Sequence, residues 1–154
     1  MFNILVANEV GFIETNFISS IINDRNFFKN IDFMVKVNIT NFLDFKIYND
    51  NINKVLNHSK TIINTINPHS FCKTLDDKVF KKALMKSNIL LADGYGVVLA
   101  SKLLYNKRIN RITGADIHDF FIKYANEKSL KIFYLGSTEK TLNKIKTKLN
   151  YKFS

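Results

Sequence analysis

The clearest pattern in the chain is a run of four apolar residues, Ile89, Leu90, Leu91 and Ala92, that ends in a single carboxylate, Asp93, followed by Gly94-Tyr95-Gly96. Such a run suits a strand covered on both faces, as in a parallel sheet, although periodicity alone does not separate it from a helical segment. The residues that follow separate the two. Glycines break the run, and Val97, Val98, Leu99, Ala100, Leu103 and Leu104 then recur at roughly helical spacing. The unit reads as strand, tight turn, helix, with Asp93 at the carboxyl end of the strand, where open α/β sheets hold their ligands.

The same reading extends along the chain. Met1 to Ala7 is a candidate strand, and Phe12, Ile13, Phe17, Ile18, Ile21 and Ile22 form a candidate apolar helical face, but many asparagines leave residues 1–32 poorly defined. Phe33 to Ile39 is rich in β-branched residues and predicts a strand; Ile52, Val55 and Leu56 predict a helix from about Asp50 to Ser59. Thr61 to Ile66 predicts a short strand, stopped by Asn67 and the only proline, Pro68. A helix beginning at Thr74 or Asp76 carries Val79, Phe80, Ala83, Leu84 and Met85, and the helix after Gly94 runs to about Tyr105. Ile117, Phe120, Phe121, Tyr124 and Ala125 fall at i, i+3, i+4, i+7 and i+8, a full amphipathic stripe. Lys131 to Leu135 predicts another strand, and Ser137 or Thr138 caps a last helix through Leu142, Ile145 and Leu149. Tyr151 to Phe153 would open a further strand. Alternating strands and helices predict an α/β protein with a Rossmann-like, mostly parallel sheet flanked by helices.

Composition narrows the function classes. The length of 154 residues suits one domain with a real core, and 46% hydrophobic content excludes wholesale disorder. A single cysteine, Cys72, rules out an internal disulfide framework and makes a reducing, cytoplasmic setting the expectation. Cys72 itself reads as a small structural group rather than a nucleophile. No signal peptide or spanning segment is evident, since the apolar run from Phe2 is interrupted by Asn8 and Glu9. The net charge of +10 attracts anions, whether nucleic acid, anionic lipid or phosphorylated ligand. His58, His69 and His118 are too scattered to suggest a metal site.

The chemistry concentrates where strands end or helices begin: Thr65-Ile66-Asn67, Asp93-Gly94-Tyr95-Gly96, Arg111-Ile112-Thr113-Gly114-Ala115-Asp116 and Leu135-Gly136-Ser137. In a parallel sheet these gather along one rim. Helix amino termini after Gly94, Gly114 and Gly136 offer backbone N–H groups and a positive dipole end to a diphosphate, and Arg111 offers a bidentate contact. No Walker A loop or G-x-G-x-x-G fingerprint occurs, which argues against ATP hydrolysis and dinucleotide redox chemistry. Asp93 has two readings that stand side by side, a general base for a substrate hydroxyl or the cap of the following helix. Thr65 and Asn67 either position a hydroxyl or satisfy the loop before Pro68, and Asp116 either binds ligand or complements a helix dipole.

Residues from about Val35 to Leu149 resemble the amino-terminal part of the WecG/TagA/CpsF glycosyltransferases. The motifs that carry the likeness are Thr65-Ile66-Asn67-Pro68, Asp93-Gly94-Tyr95-Gly96-Val97-Val98-Leu99-Ala100, Arg111-Ile112-Thr113-Gly114-Ala115-Asp116 and Ile132-Phe133-Tyr134-Leu135-Gly136. Each is short; their order and spacing make the likeness specific. The resemblance implies an inverting, metal-independent transfer, without a cofactor. An N-acetylhexosamine such as N-acetylmannosamine would move from a UDP-sugar to a polyprenyl-diphosphate-linked sugar in teichoic acid, capsule or related cell-surface polysaccharide synthesis. It implies Asp93 as base with Thr65 beside it. Asn67, Gly94, Tyr95, Gly96, Arg111, Thr113, Gly114, Asp116 and Gly136 would line the substrate pocket. It also implies a peripheral protein at the inner face of a bacterial membrane. Apart from the resemblance, an exposed sheet edge where the chain ends would predict a homo-oligomer, and aromatics at core-like spacing with no RNA or DNA motif argue against a nucleic-acid partner.

The chain departs from the family at Ser137, where a second glycine is common. It also stops before the family's later strands, G-x-P-x-Q-E segment and basic carboxy-terminal appendage. Residues 33–154 therefore read as a partial glycosyltransferase domain. Two other readings stand beside it: a non-catalytic remnant that keeps a nucleotide-sugar pocket, and a basic nucleic-acid-binding domain, which has no supporting motif.

Overall fold

The computed structural model describes residues 3–7, 37–57 and 61–153. In chain order they form β1 (Asn3–Ala7), β2 (Ile39–Phe42), β3 (Phe45–Tyr48), a 3₁₀ turn (Ile52–Asn57), β4 (Ile63–Ile66), α1 (Pro68–Asp76), α2 (Lys78–Met85), β5 (Ile89–Ala92), α3 (Tyr95–Tyr105), α4 (Gly114–Glu127), β6 (Lys131–Leu135) and α5 (Glu139–Lys152). They fall into two compact units, residues 37–117 and residues 3–7 with 118–153. Among the described residues the strands pair as β1–β6 and β4–β5, both parallel, and β2–β3, antiparallel. The architecture is mixed α/β.

In the larger unit, β5 is buried at all four positions, as its uninterrupted apolar run requires. Each fully buried aliphatic side chain contributes about 1.5–3 kcal/mol. β5 pairs with β4 from Ile63↔Ile89 to Ile66↔Ala92, and β3 packs against it. The core joins Phe42, Phe45 and Ile47 of the hairpin to Ile66, Leu84, Leu90, Ala92, Val97 and Ile109. Polar residues fix the amino end of the pair: Asn88 Oδ1 accepts from the Ile62 N–H at 2.8 Å, and Asn64 Nδ2 donates to Ser87 Oγ at 2.8 Å.

The elements around Pro68 differ from the sequence expectation. The helix placed at Thr74 or Asp76 is α2, which starts slightly later at Lys78, and a separate helix not expected from the sequence, α1, precedes it from Pro68. Pro68 stops β4, but it also occupies the first turn of α1, where a missing N–H costs nothing and the fixed φ is already helical. Asn67 completes the start. Its side chain accepts from the Ser70 N–H at 2.8 Å, while Ser70 Oγ accepts from the Asn67 N–H at 2.8 Å, a reciprocal capping box. Asp77 Oδ1 then accepts from the N–H groups of Val79 and Phe80, at 2.9 and 2.8 Å, and starts α2.

Other expectations shift as well. The β2–β3 hairpin was not evident from the apolar pattern, because its two-residue turn is Leu43-Asp44 and Leu43 takes a left-handed φ of 50° without the glycine or asparagine that signals such turns. Residues 33–36 and 58–60, and the candidate helix over 12–22, lie outside the described residues. Within the helix expected from Asp50, Ile52–Asn57 is a 3₁₀ turn. Cys72 is exposed on α1 rather than buried. Tyr151 and Lys152 close α5 and do not open a strand. In the smaller unit, β1 and β6, both at runs read as strands, pair in parallel from Asn3↔Lys131 to Ala7↔Leu135.

The turns at Pro68 and at Gly94 meet. A Cβ added to Gly96 would stand 2.5 Å from Pro68 Cγ, and one on Gly94 would stand 3.9 Å from Pro68 Cδ. Gly96→Ala therefore forces a ring anchored in the backbone to move, and the expected cost is about 1–3 kcal/mol despite alanine's better helix propensity. Gly114, whose added Cβ meets nothing within 4 Å, is the matched control: Gly114→Ala is expected within about 0.5 kcal/mol of the parent. Urea unfolding of both variants checks the pair, and equal midpoints would sink the assignment of Gly96 to close packing.

Candidate active site

Three chain segments end side by side. β4 and β5 run parallel to the Ile66↔Ala92 pair, and the Asp93 N–H donates to the Ile66 carbonyl at 2.9 Å. On the other flank Ala92 bridges to Arg111 in parallel, with the Ile112 N–H donating to the Ala92 carbonyl at 3.1 Å. The 108–110 segment is held from the hairpin: Asn49 Nδ2 donates to the Arg108 carbonyl at 2.9 Å, and Asn49 Oδ1 accepts from the Asn110 N–H at 2.8 Å. Backbone pairing thus brings Thr65, Asn67, Asp93 and the segment from Arg111 to Asp116 to one rim of the larger unit, as the motif spacing predicts.

At this rim the two readings of Asp93 part. The N-cap of α3 is Gly94, at φ 92° and ψ 150°, and no side chain caps that helix. Asp93 is half-buried, and its carboxylate has no hydrogen bond or ion pair among the described residues. Among the described residues the other α-helices are capped by side chains: α1 by Asn67, α2 by Asp77, α5 by Thr138, and α4 by Thr113, whose Oγ1 accepts from the Asp116 N–H at 3.1 Å. α3 alone among them leaves its first N–H groups without a side-chain acceptor, and its positive dipole end faces the start of the glycine turn.

Arg111 adds a full charge at the same place. Its guanidinium carbon lies 4.8 Å from the centre of the Tyr95 ring, a cation–π contact worth about 0.5–1 kcal/mol where exposed. Tyr95 is 75% exposed, so the stack holds the arginine beside the first turn of α3 without burying it.

The remaining predicted residues divide by what already occupies them. Asn67 is spent on the α1 capping box. Asp116 Oδ2 accepts from the Thr113 N–H at 2.8 Å and from Thr113 Oγ1 at 2.7 Å. These bonds, first from the Thr113 backbone and then from its hydroxyl, hold the Asp116 carboxyl below its ordinary value, and the charge of Arg111 adds to them. Thr113 and Asp116 thus form the box that starts α4, with Gly114 open to solvent between them. Gly136 belongs to the smaller unit, just past β6, at φ 101°; Ser137 after it takes φ 65°. That left-handed conformation is the one glycine adopts without strain.

Two features escaped sequence reasoning. The absence of a cap on α3 is visible only once every neighbouring cap is seen filled. In the smaller unit, His118 Nε2 and Tyr134 Oη are 2.9 Å apart and join α4 to β6; burial pulls the His118 pKa down and pushes that of Tyr134 up. Their sixteen-residue separation gives no local signal. A hollow of about 530 Å³ lies at the amino end of β5, lined by Lys46, Tyr48, Ser87 and Asn88 among others. It is at the opposite end of the strand from Asp93, and its acid, Asp44, is paired with Lys81 at 2.6 Å. Among the described residues no three His, Cys, Asp or Glu side chains cluster as metal ligands, and no helix is long and apolar enough to cross a membrane.

Residues 33–154 match the Glycosyl transferase WecG/TagA/CpsF family. Over 121 residues the chain is 31% identical to the N-acetylglucosaminyldiphosphoundecaprenol N-acetyl-beta-D-mannosaminyltransferase of Bacillus subtilis (strain 168), covering 77% of this chain and 45% of that protein. It is 28% identical over 75 residues to the protein of the same name from Bacillus spizizenii, covering 49% of this chain and 29% of that one. The chain spans less than half the length of these relatives. By the match over residues 33–154, this chain belongs to the WecG/TagA/CpsF family of glycosyltransferases.

Proposed function

We propose that the chain carries the acid-bearing half of an inverting transferase. It moves an N-acetylhexosamine, such as N-acetylmannosamine, from a UDP-sugar to a hydroxyl of a polyprenyl-diphosphate-linked sugar. The observation that carries the reading is Asp93: a half-buried carboxylate with no partner among the described residues, next to a helix amino end that no side chain caps. The names of the relatives supply the sugar and the lipid-linked acceptor. In this reading β4, β5 and the Arg111 segment are the centre of a Rossmann-like sheet, and the protein works at the cytoplasmic face of a membrane in cell-surface polysaccharide synthesis.

The chemistry follows from the arrangement. The acceptor hydroxyl gives its proton to the Asp93 carboxylate as its oxygen attacks the anomeric carbon from the face opposite UDP. The bond from that carbon to the diphosphate oxygen breaks, and its electron pair stays with UDP. Charge developing on the diphosphate is met by the amides at the start of α3 and by Arg111. Gly94 and Gly96 let backbone approach the donor closely, and Tyr95 holds Arg111 in place. Thr65 and Asn67 shape the wall beside the base. Thr113, Gly114 and Asp116 build the start of α4 and through it the position of Arg111.

The test is transfer from radiolabelled UDP-N-acetylmannosamine to a short-chain lipid-diphosphate-linked N-acetylglucosamine. Asp93→Asn is expected to lower turnover at least about a hundredfold and to leave donor binding within about threefold; turnover unchanged in the variant would overturn the role. A second reading, a donor-binding part without turnover of its own, is favoured by the chain spanning less than half of its relatives. Donor binding by calorimetry with no transfer from the parent chain would select it.

Asp116 is separable from that chemistry. Its pKa is lowered in the folded protein, so its contribution to stability is present above the ordinary carboxylate value of 3.8 and is lost as pH falls below it. Asp116→Asn is expected to unfold at lower denaturant than the parent at pH 7. The two should converge as pH falls from the ordinary value through the lowered folded-state one. A constant gap across that range would show that the carboxylate's charge is not what the Thr113 box uses.

A further inference from the structure

Between α3 and α4 the chain runs from Asn106 to Thr113 without helix, and its one bridge pair is Ala92↔Arg111. A connection of this kind ordinarily leaves much of its backbone to water. Here it is fastened at almost every residue. The Lys107 carbonyl accepts from Oγ of the wholly buried Ser101 at 3.2 Å, and the Lys107 N–H donates to the Ser101 carbonyl at 3.3 Å. Ile109 is buried in the core, and the Ile112 N–H is held by Ala92. What fastens the residues on either side of Ile109 is a single side chain from the hairpin, Asn49.

The Asn49 carboxamide makes three hydrogen bonds. Nδ2 donates to the Arg108 carbonyl at 2.9 Å and to Thr40 Oγ1 at 3.0 Å, and Oδ1 accepts from the Asn110 N–H at 2.8 Å. Donating to the residue before Ile109 and accepting from the residue after it is how one residue of a parallel strand bonds its neighbour. The side chain therefore stands in for a strand partner of Ile109, and the bond to Thr40 uses its second amide hydrogen. The hairpin itself does not need this amide. It closes through backbone, with the Asn49 N–H donating to the Asn38 carbonyl at 2.8 Å beyond the Ile39↔Tyr48 pair, and it packs through Phe45 and Ile47.

The next residue after Asn110 is Arg111. A long cationic side chain loses much rotamer freedom when it is held in one place, and a backbone that drifts beneath it multiplies that loss. We infer that Asn49 is a positioning residue: by bonding both sides of Ile109 it keeps the Arg111 backbone against β5 and the guanidinium over Tyr95, at the uncapped start of α3. The clamp follows from the bonds themselves; its use, presenting Arg111 to the diphosphate of a donor, rests on the proposed function.

The test is Asn49→Ala in the full chain, followed by nuclear magnetic resonance and by calorimetry with UDP. The bonds lost are at exposed backbone, where water replaces them, so the variant is expected to fold. In the parent the Tyr95 ring current shifts the Arg111 side-chain resonances. Asn49→Ala is expected to move them most of the way to their positions in Tyr95→Leu, and to make the Ile112 amide exchange about tenfold faster while the β5 amides keep their rates. Unchanged Arg111 resonances, or an unchanged Ile112 rate, would overturn the inference. So would faster exchange throughout β5, which marks a residue that merely stabilises the fold. In calorimetry Asn49→Ala and Arg111→Gln are each expected to weaken UDP binding about tenfold, and the double variant no further than Arg111→Gln alone. Effects that multiply would show that Asn49 does not act through Arg111. The resonance and exchange readouts need no ligand, so the two readings fail separately. UDP binding unchanged in Arg111→Gln removes that arginine from the donor site and leaves the clamp to be decided by the other two measurements.

Discussion

The site depends on the contact between the Pro68 ring and the backbone of Gly94 and Gly96. Parallel pairing carries β4 and β5 to the same rim, but it does not by itself determine how the chain leaves each strand. Proline does so for β4, by ending the ladder and starting α1 in one residue. Glycine does so for β5, where Gly94 takes a positive φ and Gly96 has no room for a Cβ against Pro68. The two exits are thus packed on each other, and Asp93 sits at the root of the second. A side chain at Gly96 would push α3 away from α1 and turn its amino end away from the carboxylate. The proline and the glycines are one device.

That device explains why an acid and an open helix end coexist. A free carboxylate beside uncapped amides ordinarily closes onto them, since an Asp at the N-cap gains about 1 kcal/mol. Here the cap position belongs to Gly94, and Asp93 lies one residue too early. The stabilisation forgone is the kind of local cost that functional sites carry while the surrounding structure compensates. The compensation is visible nearby, in the reciprocal bonds of Asn67 with Ser70 and of Thr113 with Asp116 on either flank. Those two boxes hold the frame, while the Asp93 carboxylate takes no part in either.

Much of this was legible in the residues. β5, α3, β6 and the stripe of α4 follow from apolar spacing, and the rim motifs follow from where glycine, proline and carboxylates interrupt it. The hairpin was not legible because Leu43 occupies its turn without a glycine signal. The start of α1 was not, because proline after a strand reads first as a stop and only the Asn67-to-Ser70 spacing shows it is also a beginning. The roles of Asp93 and Asp116 looked alike in sequence, each an acid near a helix start. What separates them is one residue of register: Asp116 is three residues after a threonine that caps, and Asp93 is one residue before a glycine that cannot.

Register also bears on the charge of the chain. A total of +10 says only that anions are attracted, and many of the lysines belong to ordinary solvated helix faces. Lys54, Lys81, Lys123 and Lys152 are neutralised by aspartates. The charge that remains uncompensated between Gly94 and Ala115 is local, and it sits on the segment that begins at the glycine turn and ends at Arg111. An anionic ligand would be drawn to that segment, and first to its amino end, where the uncapped amides of α3 and the Arg111 side chain lie together.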